Sequence, residues 1–368
     1  MINRFFDTPA HDHQTVSYDP TDGFPMSWDS TPPPAPTKGC SRSTLGFVRE
    51  THERAELYVA KARQSQVVLH CDDLDSGESD RVLILNDLRG GLSRGELTMH
   101  FQPQLDLTSG IVLGVEALVR WTHPVRGAIP PGEFIPAAEK TGLIRAITRF
   151  ALRTALAACA EWRAAGRELR VAVNVSALNL VDASFVDDIV GALDEFGIPA
   201  RLLDIEVTES NAMLDIGGAA QMLDQLAELG IRIVIDDFGT GHSSLEYLQR
   251  LPLDVIKIDQ SFVKGMSVSS CDETIVRSTI GLARSLGMES VAEGVEDLAA
   301  LDTLRSLGCN TAQGYAIARP MPQTDVLGAI EAIEQVHRRP AQPGAHAPVP
   351  NDEVSSGSAR TRSRGSSA

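Results

Sequence analysis

Apolar and polar positions alternate along this chain in a way that predicts strands and helices in succession. Runs of apolar, often β-branched residues bounded by Gly, Pro, Asn or Asp indicate strands, and apolar residues spaced three and four apart indicate helices. The predicted strands are Thr98–Leu107, Ile111–Trp121, Leu169–Val175, Leu202–Thr208, Arg232–Asp236, Val255–Ile258, Glu289–Ala292 and Thr311–Gln313. The predicted helices between them include Phe150–Ala165, Ala183–Glu195, Ala219–Leu229, Asp272–Leu286 and Leu298–Leu307.

This alternation predicts an α/β fold in which strands pair in parallel through helical crossovers. About eight strands in roughly 240 residues fit a (β/α)8 barrel of the TIM type better than an open sheet. An open doubly wound sheet stays an alternative, although no Gly-x-Gly-x-x-Gly turn follows an early strand. Only Thr108-Ser109-Gly110 separates the first two strands. Because so short a link is typical of a hairpin, the first strand should run antiparallel to its neighbour.

The two ends of the chain lack this periodicity. Residues 1–40 are rich in Pro, Asp, Thr and Ser, and residues 338–368 end in a Ser, Arg and Gly mixture, so we expect disordered tails. Residues 41–90 form a short connecting segment with a helical pattern at Ala55–Arg63 and a strand-like run at Gln66–His70. The barrel is expected to occupy residues 91–337.

Composition narrows the function. The formal charge of −16 argues against binding DNA or RNA polymers, which need clustered basic residues. The apolar runs fall short of the roughly 20 residues of a membrane span, and the N-terminus lacks the pattern of a secretory signal. We therefore expect a cytoplasmic protein without membrane contact. Its five cysteines are scattered without metal-ligand spacing, which indicates reduced, structural thiols.

Polar residues stand where the predicted strands end. Taken singly, such residues are often helix caps or surface ion pairs. In a barrel, however, the carboxyl ends of all strands meet at one rim, where active sites form. The set comprises Glu116, Arg120, Asn174, Glu206, Glu209, Asp236, Asp237, Lys257, Asp259, Glu293, Glu296 and Gln313.

So many carboxylates at one rim would repel one another unless cations neutralise them. Carboxylate and amide oxygens without His or Cys favour hard ions such as Mg²⁺ or Mn²⁺. The adjacent pair Asp236-Asp237 could hold two ions roughly 3.5–4 Å apart, the arrangement used for in-line phosphoryl displacement. Lys257 could then hold the attacking water or a phosphate oxygen. The segment from Asp236 to Ser244 reads either as a mobile loop braced by Glu209 or as a plain strand-to-helix turn.

Four aromatic residues near these strand ends are interpreted as core and rim packing rather than as platforms for bases. They are Phe101, Trp121, Phe134 and Tyr315. The histidines His100, His123 and His242 have no partner at metal-ligand spacing, and we interpret them as surface or hydrogen-bonded residues.

Nine ordered motifs between about Leu92 and Pro322 carry a family resemblance. The motifs are Phe101-Gln102-Pro103, Glu116-Ala117-Leu118-Val119-Arg120-Trp121, Phe134-Ile135-Pro136-Ala137-Ala138-Glu139, Val173-Asn174-Val175-Ser176, Glu206-Val207-Thr208-Glu209-Ser210, Asp236-Asp237-Phe238-Gly239-Thr240-Gly241, Lys257-Ile258-Asp259-Gln260-Ser261-Phe262-Val263, Ala292-Glu293-Gly294-Val295-Glu296 and Gln313-Gly314-Tyr315. Together they look like the EAL-domain phosphodiesterases of bacterial cyclic di-GMP signalling.

The resemblance implies a phosphodiesterase that hydrolyses cyclic di-GMP to linear pGpG with two Mg²⁺ or Mn²⁺ ions. It implies that Lys257 contacts the nucleophilic water and that Glu293 is the candidate general base. With two ions lowering the pKa of the water, a separate base becomes optional. The implied ligands are Glu116, Asn174, Glu206 and Asp236 for the first ion, and Asp236, Asp237 and Glu293 for the second.

The remaining carried-over roles concern the substrate and the loop after Asp236. The resemblance implies that Gln102 and Arg120 bind the guanine and the phosphate, that Gln313 and Glu296 complete the substrate shell, and that Glu209 orders the loop. It also implies that the domain can form a homodimer. The chain has Phe101 and His242 where the family usually has Tyr. Neither position is an implied metal ligand, but the loop near His242 could pack differently or acquire pH sensitivity.

The fragment Arg54–Arg63 resembles the last helix of a GGDEF cyclase domain, although an ordinary connecting helix fits it equally well. Residues 41–90 lack the diagnostic loop and are too short for that fold, so we predict no cyclase activity. Two alternatives to the enzyme stay open. A catalytically silent cyclic di-GMP receptor acting through a protein partner should lack a ligand or the lysine, and this chain lacks none. A hydrolase of another phosphate ester would keep the ion site without both Gln102 and Arg120.

Overall fold

An eight-stranded barrel forms the centre of the computed structural model, which describes residues 76–209, 216–240 and 248–338. The barrel strands are β1 (Leu97–Asp106), β2 (Val112–His123), β4 (Arg170–Asn174), β5 (Leu203–Thr208), β6 (Arg232–Phe238), β7 (Val255–Ile258), β8 (Glu289–Ala292) and β9 (Thr311–Ala312). Two short strands pair antiparallel with barrel strands: β3 (Gly127–Ile129) with β2, and β10 (Met321–Pro322) with β1.

The strand order confirms the predicted TIM-like barrel, and the open-sheet alternative is wrong. Strands β2 and β4 to β9 pair in parallel, and β1 closes the ring by pairing antiparallel with both β2 and β9. The predicted hairpin is present, since the Asp106 carboxylate accepts from the Ser109 backbone N–H at 2.6 Å and Gly110 has a φ of 72°. Most L residues avoid that conformation.

Helices connect most of the parallel strands. In chain order the described helices are α1 (Ser76–Arg94), α2 (Pro131–Thr141), α3 (Ile144–Ala164), α4 (Ala177–Leu180), α5 (Phe185–Phe196), α6 (Ile216–Glu228), α7 (Gln260–Gly265), α8 (Ser270–Leu286), α9 (Leu298–Leu307) and α10 (Val326–His337). The five predicted helices correspond to α3, α5, α6, α8 and α9. Their caps follow local chemistry: the Asp297 side chain accepts from the Ala300 N–H at the start of α9, and Gly308 with φ 77° ends it.

The main apolar core lies between the barrel wall and the surrounding helices, where residues such as Val173, Ile205 and Ile256 are buried. A second apolar cluster joins α1 to the barrel rim. In it Leu88 contacts the group that contains Trp121 and Phe134, whose rings meet edge to face at 5.5 Å. Phe101 is likewise buried against Trp162. The interpretation of these three aromatics as core residues is confirmed.

Several sequence predictions fall outside the described residues. They concern the tail at residues 1–40, the elements predicted within Ala55–Arg63 and Gln66–His70, and all of the C-terminal tail except Arg338. The predicted boundary between residues 90 and 91 lies inside α1, and the domain limits stay a prediction. The described cysteines Cys159, Cys271 and Cys309 are free thiols. Among the described helices, none is long and apolar enough to cross a membrane.

Candidate active site

The barrel brings the sequence-predicted polar residues to one rim. Strand register explains directly why two pairs of these residues are close in space. Gln102 of β1 lies opposite Glu116 of β2, and Asn174 of β4 lies beside Glu206 of β5. Residues that share a register position on neighbouring strands have side chains close together. The others reach the rim from the ends of β6, β7, β8 and β9, which carry Asp236 with Asp237, Lys257, Glu293 and Gln313.

A fully buried lysine stands at the centre of the cluster. The Lys257 ammonium lies 2.6 Å from a carboxylate oxygen of Glu293, 3.0 Å from Glu206, 3.2 Å from Asp236 and 3.5 Å from Glu116. The side chain is 1% exposed, so water contributes almost nothing to its solvation. Carboxyl groups therefore replace water around the charge, and four of them share one ammonium.

Amide side chains fix the orientation of Glu116. Asn174 donates to one oxygen of this carboxylate at 2.7 Å, and Gln313 donates to the other at 2.6 Å. Gln313 also donates to Gln102 at 3.1 Å and accepts from Gln104 at 3.0 Å. Because Gln313 has partners at both its amide oxygen and its amide nitrogen, the network sets which way this amide points. Gln104 was not predicted, although it shares a strand face with Gln102.

The consecutive acids Asp236 and Asp237 can both face the site because the strand is irregular there. In a regular strand, neighbouring side chains point to opposite faces. The pairing of β6 with β7 shifts register between Ile235 and Phe238, and Asp237 has a φ of 55°. The Asp237 backbone N–H donates to the Asp236 carboxylate at 3.0 Å, which helps hold this bend.

Burial and mutual repulsion disfavour the charged forms of several carboxyl groups in the cluster. Burial raises the pKa of Glu293 to about 8, against the opposing charge of Lys257. Burial and the charge of Asp236 raise the pKa of Asp237 to about 6. Burial alone would lower the pKa of Lys257, but the surrounding carboxylates raise it well above its usual value. The lysine is therefore a fixed cation, and further positive charge would stabilise the site.

The donor set fits divalent cations. One carboxylate oxygen from each of Asp236, Asp237 and Glu293 lies within 4.8 Å of the others. These oxygens, with the remaining carboxylates and the Asn174 amide oxygen, form an all-oxygen set typical of Mg²⁺ or Mn²⁺. Lys257 alone leaves most of the cluster's negative charge uncompensated, which two divalent ions would neutralise.

A cavity of about 290 Å³ opens beside the cluster and is lined by Gln102, Glu116, Arg120, Glu293, Glu296 and Gln313, among others. Within the described residues, Arg120 has no ion-pair partner and donates to the Val119 carbonyl at 2.9 Å. Burial lowers its pKa from an ordinary value far above neutrality. Arg120 can therefore offer its remaining N–H groups to an anionic ligand.

The predicted substrate residue Glu296 and the predicted rim residue Tyr315 both line the cavity. Glu296 pairs with Lys264 at 3.0 Å, a partner that sequence reasoning missed. Tyr315 lines the cavity, is 53% exposed and lies 4.2 Å beneath the Arg319 guanidinium, in keeping with its interpretation as rim. Of the predicted histidines, His123 is buried and accepts two backbone hydrogen bonds, whereas His242 lies outside the described residues.

Glu209 lies just beyond β5 and reaches the segment after Asp237. Its carboxylate is 2% exposed and accepts from the Gly239 backbone N–H at 3.1 Å. This contact is the one expected of a residue that orders the loop. Residues 241–247 of that loop fall outside the described ranges, so the choice between a mobile loop and a plain turn stays open.

Comparison with known proteins agrees with this geometry. MucR of Pseudomonas aeruginosa, named a bifunctional diguanylate cyclase/cyclic di-GMP phosphodiesterase, is 42% identical over 258 residues, covering 70% of this chain and 38% of MucR. The cyclic di-GMP phosphodiesterase NbdA of the same species is 43% identical over 258 residues, covering 70% of this chain and 32% of NbdA. The chain thus spans about a third of the length of these two curated relatives.

Solved structures resemble the barrel as a whole. A complex of the PaMucR phosphodiesterase with c-di-GMP has a TM-score of 0.64 and 44% identity, covering 66% of this chain and 99% of that one. The c-di-GMP-bound EAL domain of FimX from Pseudomonas aeruginosa has a TM-score of 0.60 and 26% identity, covering 65% and 96%. The EAL domain family model matches residues 85–320. The resemblance drawn from the nine motifs is confirmed, and this chain belongs to the EAL domain family.

Proposed function

We propose that this chain hydrolyses one phosphodiester bond of cyclic di-GMP to give linear 5′-pGpG, in a reaction that needs Mg²⁺ or Mn²⁺. The observation that carries the proposal is the carboxylate cluster around Lys257. It adjoins a cavity where Arg120 has no carboxylate partner within the described part of the chain. Such a site attracts divalent cations at one end and a phosphodiester at the other. The names of the similar proteins support the choice of cyclic di-GMP.

The proposed ion ligands follow the structure's donor set. Bound divalent ions would supply positive charge that lowers the pKa of water and stabilises charge on the phosphoryl oxygens. Asp236 would be the ligand shared by both groups of donors. The first group is completed by Glu116, Asn174 and Glu206, and the second by Asp237 and Glu293.

Lys257 and Glu293 have complementary roles toward the attacking water. Lys257 stays protonated and can donate hydrogen bonds to the water or to a phosphate oxygen. Glu293 lies 2.6 Å from the Lys257 ammonium and can accept the proton that the water loses. Arg120 and Gln102 hold the substrate phosphate and base, while Gln313 keeps Gln102 and Glu116 in register through its two hydrogen bonds.

One experiment separates this enzyme from a silent receptor. The purified chain is incubated with cyclic di-GMP and Mg²⁺ or Mn²⁺, and the product is resolved by liquid chromatography while binding is measured by calorimetry. We expect pGpG from the wild type and loss of turnover in Asp237→Asn. Tight binding without turnover would favour the receptor, and turnover only of another phosphate ester would favour a different hydrolase.

The activities named for MucR and NbdA are not carried over as a whole, because the chain covers about a third of each protein. We propose that this chain has no cyclase activity of its own, and incubation with GTP should yield no cyclic di-GMP. A homodimer and a cytoplasmic location stay predictions. Analytical ultracentrifugation tests the former and localisation of a tagged chain tests the latter.

A further inference from the structure

Gln104 of β1 lies inside the barrel, and none of the steps proposed above uses it. With Glu206 and Lys257 it lines a small interior cavity of about 20 Å³. It lies opposite Gly114 of β2, whose lack of a side chain leaves room for a long amide beside it. Gln104 does not line the substrate cavity, so any effect it has on the reaction passes through other residues.

One hydrogen bond connects Gln104 to the candidate site. Its side-chain N–H donates to the Gln313 amide oxygen at 3.0 Å. Strand register explains this contact, because Leu105 of β1 pairs antiparallel with Ala312 of β9 and Gln104 and Gln313 come next in that register. The contact therefore belongs to the barrel wall, where β1 and β9 close the ring.

Three glutamines form a series of hydrogen bonds that runs in one direction. Gln104 donates to Gln313, and Gln313 donates to Gln102 at 3.1 Å. Gln102 donates in turn to the Ala318 backbone carbonyl at 3.0 Å. The Gln313 side chain also donates to the Glu116 carboxylate at 2.6 Å. Because hydrogen bonds in such a series polarise one another, the donor at its start strengthens those that follow.

The Gln313 amide has two orientations, which differ by a half turn that exchanges its oxygen and nitrogen. In the structure its nitrogen faces acceptors on Glu116 and Gln102, and its oxygen faces the Gln104 donor. Gln313 is 4% exposed, so bulk water cannot satisfy the oxygen if that donor is lost. After a half turn the oxygen would face the Glu116 carboxylate. Gln104 therefore favours the orientation in which Gln313 holds Glu116 by donation.

We propose that Gln104 is a positioning residue for the phosphodiesterase reaction. It fixes the Gln313 amide so that this amide donates to Glu116, a proposed ligand of the first ion, and to Gln102, which is proposed to bind the substrate. The effect on ions and substrate rests on the proposed function. The orientation of Gln313 can be measured without either ligand.

Three substitutions at Gln104 separate hydrogen bonding from charge. Gln104→Met removes the donor, Gln104→Glu replaces it by an acceptor of the same shape, and Gln104→Lys keeps a donor. Calorimetry with Mn²⁺ alone at pH 7.5 should give a dissociation constant about tenfold higher for Gln104→Met, higher still for Gln104→Glu, and close to wild type for Gln104→Lys. Attraction between charges alone predicts that Gln104→Glu binds Mn²⁺ more tightly than Gln104→Lys. The KM for cyclic di-GMP at saturating Mn²⁺ should rise in the same order as the dissociation constant, because Gln102 depends on the same amide.

NMR in EDTA measures the orientation of Gln313 directly. Its side-chain ¹H–¹⁵N signals are assigned by their loss in Gln313→Glu. In the wild type these hydrogens should exchange slowly with solvent, and in Gln104→Glu the signals should shift, because the amide turns its nitrogen toward the new carboxylate. Circular dichroism identifies the variants that fold.

The matched controls are Gln323→Met and Gln323→Glu, which change an exposed glutamine that donates to Glu161 at 2.6 Å. Neither should alter the Mn²⁺ affinity or the Gln313 signals. Unchanged Gln313 signals in Gln104→Glu, or tighter Mn²⁺ binding by Gln104→Glu than by Gln104→Lys, would overturn the proposal. If the signals shift as expected but the wild type neither binds Mn²⁺ nor cleaves cyclic di-GMP, the positioning contact is supported and the proposed function fails.

Discussion

Replacing Lys257 by Met removes the central cation while keeping most of the side-chain volume. Four carboxylates then face one another where they had oxygens at 2.6–3.5 Å from an ammonium. Breaking a buried ion pair by removing one partner costs about 3–5 kcal/mol. That is a large fraction of the roughly 5–15 kcal/mol that stabilises an ordinary domain. We expect Lys257→Met to lower the free energy of unfolding of the metal-free protein by about this amount at pH 7.5.

The penalty should depend on conditions that neutralise the carboxylates. At pH 5.5 a larger share of the cluster's carboxyl groups is protonated than at pH 7.5, which removes part of the repulsion, so the difference from wild type should shrink. Mn²⁺ should shrink it as well, because bound divalent cations replace the missing charge. Urea denaturation followed by circular dichroism, with EDTA or Mn²⁺ at both pH values, gives the four comparisons.

Lys264→Met is the matched control for stability, since it removes an exposed lysine from an ion pair with the same substitution. Its unfolding free energy should change by less than about 1 kcal/mol. If Lys257→Met is as stable as wild type in EDTA at pH 7.5, the uncompensated cluster does not exist in solution. A penalty that is the same at pH 5.5 would show that lost packing, rather than charge, accounts for the effect.

Three further predictions follow from the site and the fold. Since burial raises the pKa of Glu293 to about 8 and of Asp237 to about 6, the folded metal-free protein binds more protons than the unfolded chain above about pH 4.5. Its unfolding free energy should thus fall as the pH rises from 5 to 8. An unfolding free energy that does not change with pH in EDTA, or a pH dependence that Mn²⁺ does not alter, would show that these two pKa values are not raised. Gly110→Ala should lower the melting temperature more than Gly127→Ala. Both glycines have a φ above 70°, but of the two only Gly110 lies where an added Cβ would collide with the backbone of α10. Glu209→Ala should lower kcat about tenfold by leaving a backbone N–H unpaired, and Glu209→Gln should lower it less; equal kinetics for wild type and Glu209→Ala would refute the loop role.

Much of the barrel could be predicted because its periodicity is local. The bounds of β7 and β8 agree with the sequence pattern, since short β-branched runs there are bounded by turn residues. Helix α2 was not predicted, and its segment contains Pro131, Gly132 and Pro136, which are unfavourable inside a helix. Pro131 occupies the first helical position, where a missing N–H costs nothing, and tertiary packing keeps the helix past Pro136.

The site was predictable in its members but not in its geometry. Residue types at strand ends, with the family motifs, pointed to the cluster. Strand alternation alone would place Asp236 and Asp237 on opposite faces, and the register shift that reunites them leaves no sequence signal. The pairing of Lys264 with Glu296 depends on how the turn after β8 packs on α7, a contact between segments about 30 residues apart that no local pattern reports.

The mass of the product shows whether water hydrolyses cyclic di-GMP at this metal-dependent site. The reaction is run in ¹⁸O-labelled water with Mn²⁺, using the wild type and Glu116→Ala. We predict pGpG carrying one ¹⁸O in its 5′-phosphate from the wild type, and a rate at least about a hundredfold lower in Glu116→Ala, whose carboxylate binds Asn174 and Gln313. Absence of labelled pGpG would contradict hydrolysis of cyclic di-GMP by water, and equal rates for the two proteins would contradict the role of Glu116 in the site.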